Sequence, residues 1–210
     1  MGAATTTAPR GRMDKRQAIL AAAFTEFAAR GYAQTGVDEV AAAAGVAKAT
    51  VYNHFGDKET LLREAVAASA ERATAKNLAA VERLVDTGGD LRPVLEDVGL
   101  RLVQCHCDED SWALRRLLYA EHALLPDLLE IVQVGAAERV QRALADRLAR
   151  LALAGRLRLT DPDAAVEQLT ALLTGPLEAR ARWGTRRLPS KEMREVAAAA
   201  VDTFLHVYGA

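Results

Sequence analysis

The sequence predicts an all-α protein of about nine helices, with a small N-terminal domain over 13–73 and a larger C-terminal domain over 74–210. Half of the 210 residues are apolar and only 5% are aromatic. Alanine, leucine, arginine and glutamate, which favour helices, dominate the composition, whereas runs of β-branched residues, which favour strands, are nearly absent. Between the glycine and proline residues, apolar positions recur with the period of an amphipathic helix.

The N-terminal domain is predicted to hold three helices. Gly31 follows the first helix as a C-terminal cap, because glycine adopts the left-handed conformation of that position without a steric cost. Gly45 separates the second helix from the third in the same way. The expected segments are a disordered tail over 1–12 and helices over 13–30, 37–44 and 48–55.

The C-terminal helices are predicted from their caps and breakers. Asp57 and Asp161 precede helical patterns as N-caps, and Ser190 is expected to cap the last helix. Pro176 lies inside a continuing apolar pattern, so it is expected to kink a helix rather than end it. The predicted helices cover 58–85, 91–107, 109–123, 127–153, 162–183 and 190–208.

The charge of the chain gives little reason by itself to expect a nucleic-acid partner. The formal net charge is −1. A basic segment over 10–16 either follows DNA as an arm or is an ordinary solvated tail. A prediction of DNA binding therefore has to rest on a motif.

The sequence argues against a metal site, an enzyme and a membrane protein. Cys105 and Cys107 flank His106, and neighbouring side chains on a helix point apart, so this triplet forms neither a disulfide nor a tetrahedral metal site. None of the four histidines has the spacing of a helical ligand pair, and no glycine-rich phosphate loop is present. We expect no cofactor. A membrane-spanning run and a signal peptide are absent, and reduced cysteines fit a cytoplasmic protein.

Residues 36–55 have the pattern of a helix-turn-helix motif. Ala41 is small where the two helices cross, and Gly45 can adopt the conformation that the turn requires. Val40 and Val51 provide apolar side chains that fix the crossing. A generic short helical hairpin is the alternative interpretation of the same pattern.

The segment "GVAKATVYNHFGDKETLL" closely resembles the N-terminal domain of the TetR/AcrR repressor family, and the resemblance extends over about 13–73. Two positions depart from the family, which commonly has serine or threonine where this chain has Gly36 and Ala47. Alanine is a poor N-cap, so the third helix is expected to be loosely ordered until DNA holds it.

The resemblance implies specific DNA contacts. Lys48, Ala49 and Thr50 would reach base edges, and Asn53 either bases or phosphates. The resemblance further implies contacts to the phosphate backbone by four side chains: Thr35, Tyr52, His54 and Lys58. Core packing is the alternative role for Tyr52, and the expected role of Phe55.

The C-terminal part is similar to the corresponding domain of AefR-like regulators. That similarity implies a homodimer through the last two helices, with an internal core as the alternative role of their apolar stripes. The candidate interface residues are Leu169, Leu173, Leu177, Val196, Ala200, Phe204 and Tyr208. It also implies a ligand cavity, for which the candidate walls are His106, Trp112, Tyr119, His122 and Trp183.

The sequence as a whole predicts a cytoplasmic, ligand-responsive transcriptional regulator, most simply a repressor. It would bind a pseudo-palindromic double-stranded DNA operator as a homodimer, and a small hydrophobic or amphipathic effector would release it. The alternative is a helix-turn-helix activator, or a regulator that acts without a small-molecule ligand.

Overall fold

The computed structural model of the chain describes the backbone of residues 10–210 and the side chains from residue 14 onward. The described part is helical, and its one β-type contact is an isolated bridge between Leu157 and Gly209. The prediction of an all-α fold is confirmed. The helices are α1 (Arg10–Arg30), α2 (Val37–Ala43), α3 (Lys48–Phe55), α4 (Lys58–Val81), α5 (Leu91–His106), α6 (Glu109–Glu121), α7 (Asp127–Val132, a π-helical segment Gln133–Ala137 and Glu138–Leu153), α8 (Pro162–Arg180) and α9 (Ser190–Tyr208).

Several helix ends differ from the predicted ones. The helix α1 begins at Arg10, three residues before its predicted start at residue 13. The predicted tail over 1–12 therefore overlaps the helix, and residues 1–9 lie outside the described part. Arg182, Trp183 and Gly184 have φ values of 48°, 56° and 81°, which ends α8 before the predicted residue 183. Ser190 is the first residue of α9 and not its cap, since Pro189 occupies the extended N-cap position.

Two predicted caps are confirmed by hydrogen bonds. The carboxylate of Asp57 accepts from the backbone N–H of Thr60 at 2.7 Å. The carboxylate of Asp161 accepts from the backbone N–H groups of Asp163 and Ala164 at 3.0 and 3.1 Å. Each carboxylate satisfies N–H groups that the first turn of a helix leaves without an intrahelical partner.

The helices form two compact units. The first contains the described residues up to Ser69 together with Arg116–Ile131, and the second contains Ala70–Arg115 and Val132–Ala210. The division therefore differs from the predicted boundary after residue 73, because the end of α6 and the start of α7 belong with the N-terminal helices. Within the first unit, the carboxylate of Asp127 pairs with the guanidinium of Arg63.

The core of the second unit lies among α5, α7, α8 and α9. Gly99 of α5 permits a close approach, because a Cβ atom there would lie 3.2 Å from Cδ2 of Leu173 and 3.8 Å from Cβ of Ala197. In the described part of the chain, no helix is both long and apolar enough to span a bilayer.

Candidate nucleic-acid interface

The turn between α2 and α3 has the geometry that the motif requires. Gly45 has a φ of +66°, and the N–H of Val46 donates to the carbonyl of Ala41 at 3.0 Å while that of Gly45 donates to Ala42 at 3.1 Å. This pair of bonds is a Schellman motif, which ends one helix and turns the chain toward the next. Val51 of α3 is 2% exposed and fixes the helix from its inner side.

The outer side of α3 carries the side chains that were predicted to meet DNA. Lys48, Ala49, Tyr52 and Asn53 are exposed, whereas Thr50 and His54 are half-buried. Four exposed residues at this spacing form one continuous stripe along the helix. Two of the three residues predicted to reach base edges, Lys48 and Ala49, therefore lie on this stripe, whereas Thr50 does not.

The two aromatic residues of α3 have different environments. Tyr52 is 43% exposed, whereas Phe55 is 4% exposed, with the guanidinium of Arg16 5.5 Å from its ring centroid. The core role expected for Phe55 is confirmed. The ring of Tyr52 is accessible from outside, so the alternative of core packing does not apply to it.

The ammonium of Lys48 forms an ion pair within the chain. Its ammonium lies 2.9 Å from the carboxylate of Asp38 in α2, and this hydrogen bond raises the pKa of Lys48. The pair is exposed, so it contributes little to stability and is readily exchanged for another acceptor. Sequence reasoning missed Asp38, since only the fold shows that it lies within reach of Lys48.

The first turn of α3 has no side-chain cap. Ala47 has the extended conformation of an N-cap, with φ −71° and ψ 146°, and makes no side-chain hydrogen bond. The N–H of Thr50 donates instead to the carbonyl of Ala47 at 2.8 Å. One of the N–H groups that serine would satisfy is therefore already bonded to the backbone.

Glu39 supplies the cap that Gly36 lacks at the start of α2. Its carboxylate accepts from the N–H of Gly36 at 2.8 Å and pairs with the guanidinium of Arg30. The hydrogen bond from Gly36 lowers the pKa of Glu39. This half of a capping box holds the start of α2.

Two predicted phosphate contacts lie outside α3. These residues, Lys58 and Thr35, have different environments. The ammonium of Lys58 lies 4.4 Å from the ring centroid of Tyr32. Thr35 is 1% exposed, and its hydroxyl lies 2.8 Å from the carbonyl oxygen of Gly31 and 3.2 Å from that of Glu26. The side chain of Thr35 therefore fixes the loop after α1, and its contact with a phosphate stays a prediction.

The residues predicted for the dimer interface mostly face their own subunit. Leu169, Leu173, Leu177, Val196, Ala200 and Phe204 are all at most 4% exposed in the single chain, and Tyr208 is half-buried. In the single chain, the apolar stripes of α8 and α9 cover the core that these helices share with α5, and the role of these residues in a dimer stays a prediction. A groove remains between the outer sides of α8 and α9, lined by Gln168, Ala171, Leu172, Thr203, Phe204, Val207 and Tyr208.

The residues predicted to line a ligand cavity are divided between the two units, and their role stays a prediction. Tyr119 and Trp183 are 52% and 53% exposed, and His122, also exposed, belongs with Tyr119 to the first unit. His106 and Trp112 do meet in the second unit, with ring centroids 5.6 Å apart in an edge-to-face arrangement. Burial lowers the pKa of His106 to about 4, so its imidazole is neutral near pH 7.

The chemistry of a metal or redox centre is not evident in the described residues. They contain no group of three or more histidine, cysteine, aspartate or glutamate side chains able to hold a metal ion. Cys105 and Cys107 are free thiols, and burial raises the pKa of both, which keeps them protonated and weakly nucleophilic.

Comparison with known proteins agrees with this geometry. Residues 19–65 match the family of bacterial regulatory proteins of the tetR type, and residues 93–210 match the C-terminal domain of AefR-like transcriptional repressors. No curated protein sequence matches the chain significantly.

Solved structures resemble the chain over nearly its whole length. One is assigned as a TetR-family transcriptional regulator from Mesorhizobium loti MAFF303099, at 30% identity and a TM-score of 0.88 over 95% of this chain and 98% of that chain. The flavonoid-responsive regulator FrrA is 25% identical, with a TM-score of 0.74 over 93% and 97% of the two chains. A protein studied for the control of antibiotic production by a bacterial hormone is 26% identical, with a TM-score of 0.64 over 93% and 97%.

Proposed function

This chain belongs to the TetR family of bacterial transcriptional regulators, and from that premise we propose that it is a homodimeric repressor released from its operator by a small molecule. The family is one of DNA-binding regulators and not of enzymes. The operator would be a pseudo-palindrome, with one α3 helix in the major groove of each half-site. The site of action would be the cytoplasm.

The observation that carries the DNA-binding proposal is the outer side of α3. Lys48, Ala49, Tyr52 and Asn53 form an exposed stripe on it, and Val51 holds the opposite side in the core. The buried side orients α3, so its exposed stripe faces away from the core. Base edges specify the sequence, while cations such as Lys58 meet the phosphates.

The groove between α8 and α9 supports a revised dimer interface. Val207 is 59% exposed, and Ala171 beside it is small, so another helix can approach closely. The hydroxyl of Tyr208 donates to the side-chain oxygen of Gln168 at 2.7 Å, which joins the two helices that form the groove. We propose that the same surface of a second copy packs here.

The pair of His106 and Trp112 supports an effector site in the second unit. The Nε2 atom of His106 is buried and has no hydrogen-bond partner among the described residues, and a buried polar atom in that state favours a bound partner. We therefore propose an effector that has an aromatic ring and a polar group and that contacts His106 and Trp112. FrrA responds to flavonoids, which have this chemistry.

The same region offers a route from the effector to α4. Asp108 accepts from the N–H of Ser111 at 2.7 Å at the start of α6, and its carboxylate lies 2.7 Å from the ammonium of Lys76 in α4. An effector that displaces His106 would disturb this pair, since Asp108 is two residues away. It can weaken DNA binding only by the amount that it prefers the released state.

Selection of bound duplexes from a random library with the full-length protein tests the DNA-binding proposal. We expect a pseudo-palindromic motif, and we expect Lys58→Ala to weaken binding to the selected duplex and to reduce its salt dependence by about one unit of slope. Lys191→Ala is the control, because that lysine side chain is 83% exposed on α9. Failure to enrich any motif would contradict the proposal.

The effector site is tested with two probes. Naringenin is a flavonoid, and decanoate is an amphipathic molecule without a ring. A probe that acts there should raise the melting temperature of the free protein and weaken its binding to the selected duplex. His106→Phe keeps the aromatic contact with Trp112 but removes the polar atom, so it should reduce both effects. Unchanged responses in His106→Phe would exclude His106 as a contact.

A further inference from the structure

Glu121, the last residue of α6, has an unusual environment. It is 7% exposed, and among the described residues it is the one charged side chain in the buried class. Burying a carboxylate costs free energy unless hydrogen bonds compensate for the lost water. Its contacts therefore indicate what it does.

The carboxylate of Glu121 contacts the turn after α1. Its Oε1 atom accepts from the backbone N–H of Tyr32 at 2.8 Å. Gly31, which precedes Tyr32, has a φ of +80°, and a Cβ atom at that position would lie 3.1 Å from the same oxygen. A glycine at position 31 therefore both permits the turn and leaves room for the carboxylate.

Tyr32 in turn contacts the predicted phosphate-binding lysine. Its ring centroid lies 4.4 Å from the ammonium of Lys58, a distance typical of a cation–π interaction. The ring of Tyr32 also lies beside Phe27, whose ring centroid is 6.0 Å away. The same ammonium also lies 3.5 Å from the carbonyl oxygen of Ala33. The position of the ammonium therefore depends on the turn at Tyr32 and Ala33, whose backbone Glu121 holds at the N–H of Tyr32.

A second pair attaches the same part of the chain to the N-terminal helices. Arg63 of α4 pairs with Asp127 at the start of α7 and also, at 2.6 Å, with Glu59. Both Glu121 and Asp127 lie within the segment 116–131 that belongs to the first unit. This segment is thus part of the DNA-reading unit, although it is far from the motif in sequence.

We propose that Glu121 is a positioning residue for DNA binding, which holds Lys58 through Tyr32 in the place from which it meets a phosphate. The inference rests on the proposed contact between Lys58 and DNA. It assigns part of the affinity for DNA to a residue outside the helix-turn-helix sequence. Glu121 itself contacts no DNA.

The test is a double-mutant cycle measured by fluorescence anisotropy on the selected duplex, with full-length protein. Glu121→Ala should weaken binding by roughly five- to tenfold in the wild-type background and by less than about twofold when Lys58→Ala is already present, because residues that act through each other are not additive. The salt dependence of Glu121→Ala should fall toward that of Lys58→Ala. Glu109→Ala, at the other end of α6, is the matched control and should bind normally.

Glu121→Gln protects the test against a folding defect. Glutamine keeps an acceptor oxygen of the same reach, so it should restore much of the affinity and of the protection of the Tyr32 amide in hydrogen exchange. Equal losses from Glu121→Ala in both backgrounds would show a merely structural role and overturn the inference.

Two further outcomes separate this inference from the proposed function. Weaker binding by Lys58→Ala together with normal binding by Glu121→Ala would overturn the positioning role alone. Normal binding by Lys58→Ala would overturn the phosphate contact and, with it, the positioning role.

Discussion

Replacing Ala47 with serine should stabilise the first turn of α3. The backbone at Ala47 is already extended, with φ −71° and ψ 146°, so the hydroxyl can accept from the turn without rearrangement. An N-cap exchange from alanine contributes about 0.5–2 kcal/mol in general. The N–H of Thr50 is already bonded to the carbonyl of Ala47 at 2.8 Å, which leaves mainly the N–H of Ala49 to gain. We therefore expect the lower half of that range, about 0.5–1 kcal/mol.

Hydrogen exchange of the full-length protein measures this gain locally. A stabilisation of that size should raise the protection of the Ala49 amide by roughly two- to fivefold. Ala42→Ser is the matched control, because this exposed residue lies inside α2 and serine there is slightly unfavourable. Unchanged protection of Ala49 in Ala47→Ser would refute the reasoning, since it would show that the first turn is already satisfied.

Three further perturbations test the interface, the reading helix and the buried histidine. Val207→Glu should convert the dimer into a monomer of 22.6 kDa in light scattering. Phe204→Glu should instead unfold the subunit, because Phe204 is 1% exposed. An unchanged dimer for Val207→Glu would contradict the proposed interface at the groove. Asp38→Asn should release Lys48 and tighten binding to the selected duplex by roughly two- to fivefold at low salt, and equal affinity at all salt concentrations would count against the pair. Burial lowers the pKa of His106 to about 4 from 6.5, so the unfolded chain binds the proton more readily than the folded chain. The free energy of unfolding is therefore highest above pH 6.5. It should fall by up to about 3 kcal/mol as the pH approaches 4. His106→Phe should remove that part of the pH dependence in urea unfolding, and an unaltered pH profile would show that His106 is not its source.

The N-terminal helices were predicted well because their ends are determined locally. The bounds of α3 agree with the predicted 48–55, since Gly45 and Gly56 interrupt the helical pattern on either side. Asp57 and Asp161 were identified as caps for the same reason: a side chain two or three residues before a helical N–H acts within its own segment.

The dimer surface is hard to predict from the sequence, because periodicity shows which side of a helix is buried but not what covers it. Leu173 and Phe204 have the spacing of an interface stripe, yet they are 2% and 1% exposed within one subunit. The surface that we propose for a partner is the groove beside Val207, whose residues are too mixed in polarity to give a periodic pattern.

Contacts between residues far apart along the chain had no sequence signal. Trp112 and Tyr119 lie on the same helix, but the division between the units falls between them. Glu121 contacts Tyr32, which is 89 residues away along the chain. In the sequence alone, a single glutamate in an apolar segment looks like an ordinary surface residue. The positioning role that we propose for Glu121 rests on its tertiary contacts.

The central claim, that α3 reads base sequence in duplex DNA, is tested most directly by comparing two duplexes at one salt concentration. The first is the selected pseudo-palindrome, and the second is a scrambled duplex of the same length and composition. Fluorescence anisotropy with the full-length protein should show binding to the first that is tighter by about a thousandfold or more, as is typical of specific recognition. Equal affinity for the two duplexes would contradict the account.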